Sequence, residues 1–221
     1  MRVILLGAPG GGKGTVGDLL ARSTGFPRVS TGDALRQAVR EGTPLGRETE
    51  GIMKAGGLVS DEIVTGIVRE RIAAPDCAAG YILDGYPRTI AQAEALGRLD
   101  GGRPEVVLDL EVGVETLVAR LASRRVCPDC RAVYNLVGRP PQTEGACDAC
   151  GTALSRRPDD VPEAVRERIR VYHGQTEKLR DYYRSRSSYR AVDGEGRPEE
   201  VFARAAAALE AARAAAEGRR P

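Results

Sequence analysis

Gly10, Gly11, Gly12 and Gly14 surround Lys13, and the stretch Gly7-Ala8-Pro9-Gly10-Gly11-Gly12-Lys13-Gly14-Thr15 stands between an apolar run, Arg2 to Leu6, and a helical run, Val16 to Ser23. A strand, a glycine turn and a helix start in that order form a phosphate cradle. The glycines let successive backbone N–H groups approach phosphate oxygens, the helix directs its positive end at them, and Lys13 reaches the outer phosphates. In the common form of this loop a hydroxyl residue directly follows the lysine and ligates magnesium. Here Gly14 takes that place and Thr15 comes one later, so direct side-chain ligation is not expected there. Lysine occurs elsewhere only at Lys54 and Lys178. A chain that otherwise carries positive charge on arginine keeps in this loop a compact ammonium, which suits the place better than a wide guanidinium.

A second group is Cys127-Pro128-Asp129-Cys130 and Cys147-Asp148-Ala149-Cys150, two C-x-x-C pairs with sixteen residues between them. Each pair places two thiolates on one side of a tight turn, and two turns complete a tetrahedral site. In a reducing compartment, zinc on Cys127, Cys130, Cys147 and Cys150 is favoured over disulfides. Four protein ligands leave no open position for chemistry, so the metal is expected to be structural. Cys77 stands apart as a small buried or partly exposed side chain.

These groups need elements to position them. Strand-like runs occur at 2–7, 81–85, 106–110 and 189–192, with a short one at 27–29. Helical periodicity or capping marks 13–23, 32–41, 61–73, 89–99, 114–125, 162–184 and 199–217, leaving 218–221 as a tail. Strands separated by helices imply an α/β fold with a parallel sheet covered on both faces. Two stretches break the rhythm and read as insertions: 30–59, helical and strand-free, and 126–158, rich in Cys, Pro and Gly. Asp84 ends a strand beside the phosphate loop, where its carboxylate can hold magnesium through water, since that ion dehydrates reluctantly. Arg88 lies just past the strand's carboxyl end, where open α/β sheets bind ligands, and its fork fits two phosphate oxygens. Gln92 offers the donor and acceptor that an adenine edge requires.

The loop G-x-P-G-x-G-K-G-T resembles that of the adenylate kinases, a branch of the nucleoside monophosphate kinases, and further segments match that family in order and spacing over almost the whole chain. Ser30-Thr31-Gly32-Asp33-Ala34-Leu35-Arg36 resembles the monophosphate-site helix start, Gly57-Leu58-Val59-Ser60-Asp61-Glu62 the G-x-L-V-P-D-E segment, and Asp84-Gly85-Tyr86-Pro87-Arg88-Thr89 the D-G-F-P-R-T signature. Arg120 and Arg124, four apart on one expected helix face, match the paired arginines before the lid. Arg157-Pro158-Asp159-Asp160 resembles the R-x-D-D at its far end, and Arg168 falls at the spacing of the last catalytic arginine. Val133-Tyr134 resembles the lid segment over the ATP nucleoside, and Val192-Asp193-Gly194 the turn whose backbone reaches its adenine.

The resemblance implies a P-loop three-layer sandwich with a parallel five-stranded sheet. Its core would comprise 1–29, 60–121 and 160–221, with an AMP-binding insertion at 30–59 and a zinc-binding lid at 122–159. It implies reversible transfer of a phosphoryl group from Mg-ATP to AMP, giving two ADP. Lys13, Arg88, Arg124, Arg157 and Arg168 would be catalytic. ATP would be held by Gly10, Gly11, Gly12, Lys13, Gly14, Thr15, Arg120, Arg124, Val133, Tyr134 and Arg197, with Gly196 the alternative to Arg197 because one extra residue follows Gly194. AMP would be held by Thr31, Arg36, Gly57, Leu58, Val59, Gly85, Tyr86, Pro87, Arg88, Gln92, Arg157 and Arg168. Such a transfer needs no general base, because the AMP phosphate is ionised near neutral pH and catalysis rests on alignment and on cations around the transferring group. The single histidine, His173, is accordingly read as structural. Gly11, Val16, Ala34, Ser60 and Tyr86 depart from the usual residues, and none removes a charged group.

Two alternatives share parts of the pattern. A GTP-dependent AMP kinase or a UMP/CMP kinase would use the same phosphate machinery, and a non-catalytic zinc-and-nucleotide module could bind nucleic acid through its arginines. The latter fits poorly, because aromatic residues for base stacking make up only 4% of the chain and the net charge is only +2. Nucleic acid and membrane are therefore not expected partners. No apolar run approaches the ~20 residues that span a bilayer, and the N-terminal strand lacks a signal peptide's length and cleavage pattern, so a cytoplasmic location is expected. A hinged enzyme needs free lids, which favours a monomer.

Overall fold

The computed structural model describes residues 1–186 and 188–217; the expected tail at 218–221 lies outside them. In chain order the elements are β1 (Arg2–Leu6), α1 (Lys13–Thr24), β2 (Arg28–Ser30), α2 (Thr31–Arg40), α3 (Pro44–Lys54), α4 (Asp61–Ile72), β3 (Tyr81–Asp84), α5 (Ile90–Leu99), β4 (Glu105–Glu111), α6 (Val114–Ala122), β5 (Arg124–Val126), β6 (Val133–Asn135), α7 (Pro162–Val171), α8 (Glu177–Arg184), β7 (Tyr189–Asp193) and α9 (Pro198–Glu217). Five strands form one parallel sheet in the order β2-β3-β1-β4-β7. The chain runs from central β1 out to β2 on one side, then crosses from β3 to β4 on the other. The phosphate loop leaves β1 at this reversal of order, the place where open α/β sheets bind ligands.

Side-chain alternation along each strand builds the three layers. Ile4, Leu6, Leu83 and Val107 pack against Leu35, Val64, Val68, Leu96 and Leu179 on α2, α4, α5 and α8. Val3, Leu5, Ile82 and Leu108 pack against Val16 and Leu20 of α1 and Val201, Ala205 and Leu209 of α9. Because both faces are covered, β1 is buried throughout and reads as a continuous apolar run. Arg2 of β1, paired with Glu105 at 2.8 Å, and Asp109 of β4 are the charged exceptions among these buried positions. Asp109 accepts hydrogen bonds from Arg180 Nε at 2.6 Å and the Tyr189 hydroxyl at 2.7 Å, so its charge is paired rather than stranded.

Four features differ from the sequence expectation. The helix expected over 114–125 ends at Ala122, so Arg120 and Arg124 do not share a helix face: Arg120 is helical and Arg124 opens β5. Ser123 stops the helix with its hydroxyl on the Ala119 carbonyl at 2.6 Å, and Arg124 then pairs with Asn135 across an antiparallel β5–β6 hairpin. That hairpin, which leads into the Cys-rich stretch, was not expected. The helical stretch 30–59 resolves into two helices, α2 and α3, split at Thr43, whose side chain caps α3. The helix expected over 162–184 is interrupted by a π-helical segment, Tyr172–Thr176, around Gly174, a weak helix former.

Candidate active site

At the end of β1 the phosphate loop turns through Gly10 and Gly12, whose φ angles of +86° and +90° lie in the left-handed region that glycine adopts without strain. Gly12 is the N-cap of α1 and supplies no side chain to its first N–H groups. By contrast, Ser30, Ser60 and Thr89 cap α2, α4 and α5 with their hydroxyls. The start of α1 therefore presents backbone donors, with the helix dipole behind them, to an anion. Lys13 Nζ donates to the carbonyls of Gly7 at 2.6 Å and Ala8 at 2.8 Å, so its ammonium lies against the loop.

The loop floors a cleft of about 1440 Å3 that Arg36, Arg88, Arg120, Arg124, Arg157 and Arg168 also line. This exceeds the roughly 300–1,000 Å3 of a pocket for one small ligand, so two can fit end to end. The cations crowd one another. Burial lowers the Lys13 pKa to about 8, against the upward pull of Asp84 and with the help of the like charges of Arg88, Arg168 and Arg124. Burial and Arg168 lower Arg88 to about 10, and burial with Arg36 and Arg124 lowers Arg157 to about 10. Arg168 is shifted down chiefly by burial. Cations packed this closely gain from any polyanion placed among them. Carboxylates hold their forks in place: Arg124 and Arg168 both bond Asp160, and Arg168 also reaches Asp159 at 2.9 Å.

Arg28, which sequence reasoning passed over, organises the carboxylates on the opposite wall. Its guanidinium bonds Asp84 at 2.8 Å, Asp33 at 2.9 Å and Asp18 at 2.7 Å. Asp33 in turn holds Arg36 at 2.6 Å. A Cβ at Gly17 would meet Arg28 Cδ at 2.7 Å, so the glycine makes room for the arginine stem. Asp84 lies under the phosphate loop with Oδ2 committed to Arg28.

The hairpin β5–β6 and its cysteine turns overhang the loop, and Cys130, Val133 and Tyr134 line the cleft from above. Arg131 Nη1 touches Gln37 of α2 at 3.0 Å. The sulfur atoms of Cys127, Cys130, Cys147 and Cys150 lie within 4.8 Å of one another. Zinc–sulfur bonds of about 2.3 Å in a tetrahedron place sulfurs about 3.8 Å apart, so this donor set fits zinc. The two turns repeat one geometry: Arg131 N–H donates to the Cys127 carbonyl at 3.1 Å and Gly151 N–H to the Cys147 carbonyl at 2.8 Å, with φ of +65° at Arg131 and +74° at Gly151. Cys127, Tyr134 and Cys147 form an apolar cluster of their own.

A family model described as adenylate kinase matches residues 5–188. The chain belongs to that family. It is 51% identical to an adenylate kinase of Trichlorobacter lovleyi over 212 residues, covering 95% of this chain and 99% of the relative. A Thermodesulfovibrio yellowstonii adenylate kinase is 46% identical, with 95% and 99% covered. One from Archaeoglobus fulgidus is 46% identical, with 95% and 98% covered.

Against the adenylate kinase pattern, Gly10 to Thr15, Asp84, Pro87, Arg120, Arg124, Val133, Tyr134, Arg157 and Arg197 line the cleft. Thr31, Gly57, Val59 and Gln92 line a recess that opens beside it, and Arg36, Leu58, Gly85, Arg88 and Arg168 border both. Tyr86 borders neither. It is fully buried, with its hydroxyl 3.1 Å from Thr65 Oγ1 and donating to the Gln92 carbonyl at 3.1 Å. Arg120 donates to the carbonyls of Gly194 at 3.0 Å and Gly196 at 3.2 Å, holding the turn after β7, whereas the Arg197 side chain is exposed beside Glu200. His173 is exposed and bonds Glu177 at 3.0 Å, outside this site.

Proposed function

We propose that this adenylate kinase transfers the terminal phosphoryl group of Mg-ATP to AMP, reversibly, with ATP's phosphates on the loop at α1 and AMP in the recess beside Arg88. The observation that carries this reading is the convergence of Lys13, Arg88, Arg124, Arg157 and Arg168 on the one cleft between those two places. The backbone donors of Gly10 to Thr15 bind the β- and γ-phosphates, and Lys13 swings from the Gly7 and Ala8 carbonyls onto them. Arg36, Arg88 and Arg168 orient the AMP phosphate so that its oxygen faces the γ-phosphorus. The arginines and Lys13 then neutralise charge on the equatorial oxygens, where electrostatic stabilisation has its largest effect. No side chain removes a proton.

Asp84, held by Arg28 through Oδ2, would accept through its other oxygen from the water shell of magnesium, an ion that would supply charge neutralisation at the ATP phosphates. The four cysteines hold a structural zinc that stiffens the segment 122–159 as a lid, and 30–59 serves as the second moving insertion. Closure of both excludes water, the competing acceptor. The four thiols suit a reducing cytoplasm, and movement of two insertions suits a monomer. Among the described residues no helix is long and apolar enough to cross a membrane.

Initial rates with each of AMP, CMP, UMP and GMP, and with ATP or GTP as donor, test this reading. AMP with ATP is expected to exceed every other pair at least about 100-fold, because unpaired polar groups in a buried base site reject the wrong edge strongly. A faster rate with CMP or UMP would transfer the assignment to a pyrimidine nucleotide kinase.

A further inference from the structure

Gln92 is 2% exposed, and both ends of its amide already have partners. Its Oε1 accepts the Arg88 backbone N–H at 2.7 Å, and its Nε2 donates to Asp61 Oδ1 at 2.7 Å. The other oxygen of Asp61 accepts the Thr89 hydroxyl at 2.8 Å. Thr89 Oγ1 in turn accepts the Gln92 backbone N–H at 3.1 Å, capping α5. Asp61 is the first residue of α4, so the carboxylate comes from a different helix and is fixed at both oxygens. A carboxylate only accepts and a backbone N–H only donates. Exchanging the two ends of the Gln92 amide would set donor against donor at Arg88 and acceptor against acceptor at Asp61. One Nε2–H and one Oε1 lone pair remain, on a side chain that borders the recess with Gly57, Leu58 and Val59.

We propose that Asp61 is a positioning residue that sets base selectivity in the monophosphate recess by preventing the Gln92 amide from flipping. This rests on the reading of that recess as the AMP site. The pairing edge of adenine presents a 6-amino donor beside an N1 acceptor; that of hypoxanthine presents a 6-oxo acceptor beside an N1–H donor. An amide held one way satisfies the first pattern and opposes the second at both atoms. A freely turning amide would serve either base, and glutamine alone would then discriminate poorly between AMP and IMP.

The test compares kcat/KM for AMP and IMP in the wild type, Asp61→Asn and Thr89→Val, with thermal midpoints measured alongside. An asparagine side chain can turn either end toward Gln92, so the charge-assisted hold is lost. The AMP-over-IMP ratio is expected to fall about 10- to 100-fold in Asp61→Asn, the range that a hydrogen bond to a charged group contributes. Thr89→Val, which frees one oxygen of Asp61, should lose less. The change should appear as a lower KM for IMP and a higher KM for AMP, with KM for ATP unmoved. A ratio that stays constant, or efficiencies that fall in parallel with the thermal midpoint, would assign Asp61 a structural role and overturn the proposal. If Asp61→Asn does not fold, Thr89→Val decides: a lowered AMP-over-IMP ratio at an unchanged thermal midpoint agrees with a held amide, and an unchanged ratio contradicts it. A wild type that phosphorylates neither AMP nor IMP would instead refute the AMP-site reading beneath the proposal.

Discussion

Replacing Lys13 with alanine is expected to lower kcat at least about 100-fold while leaving the far-ultraviolet circular dichroism and the cooperative thermal transition in place. The magnitude follows from removing one charge that stabilises the transition state inside a site closed to water, where single donors are worth about 100- to 1,000-fold. Preservation of the fold follows from the surroundings of Lys13. Its ammonium bonds only carbonyls of its own loop, and burial among arginines already disfavours its charge, lowering its pKa to about 8. Loss of that charge relieves repulsion from Arg88 and Arg168, so the thermal midpoint should stay level or rise. Lys13→Arg should not restore the rate, because a planar fork cannot follow the phosphoryl group as an ammonium on a flexible stem can. Near-normal turnover in Lys13→Ala would remove the phosphate loop from the mechanism.

The second large effect concerns the cysteine quartet. Protein purified under reducing conditions should contain one zinc per chain, and Cys130→Ser should lose it. Isolated finger peptides gain roughly 10 to 16 kcal/mol of folding free energy from such a metal, but here the site organises a cluster separate from the two faces of the sheet. Metal removal is therefore expected to melt the lid as an early, separate calorimetric transition. The main transition should drop by a few degrees at most, since each 1 kcal/mol lost from the main unit shifts the midpoint by roughly 2–4 °C at this length. Cys77→Ser should keep its zinc, because Cys77 is buried against α4 with Arg71. Absence of zinc from an active, fully reduced preparation, or zinc retained after all four serine substitutions, would contradict the assignment.

The phosphate loop, the five sheet strands and the cysteine pairs were legible because each is a local pattern with a physical cause: glycines before a lysine, buried apolar runs, thiols at turn spacing. What escaped depends on partners distant in sequence. Arg28 is one arginine among many until the fold sets it against Asp18, Asp33 and Asp84. Asp61 looks like an ordinary first-turn acid until Gln92 arrives from α5. Strands β5 and β6 have three residues each, too few for alternation to show, and their pairing depends on the cysteine turns around them. The end of α6 was misplaced because Arg124 and Arg125 continue a helical pattern that Ser123 and the hairpin stop. The break at Tyr172–Thr176 lies where Tyr172 packs beside Ala8 and Leu117, a contact that periodicity along one helix cannot reveal.

Phosphorus NMR of the protein supplied with ADP and magnesium alone tests the central claim most directly, because in the reverse reaction ADP serves as both phosphoryl donor and acceptor. ATP and AMP should appear together in equal amounts and stop at equilibrium, with no orthophosphate released. Accumulation of orthophosphate, or ATP formed without matching AMP, would contradict transfer between two nucleotides in one closed cleft.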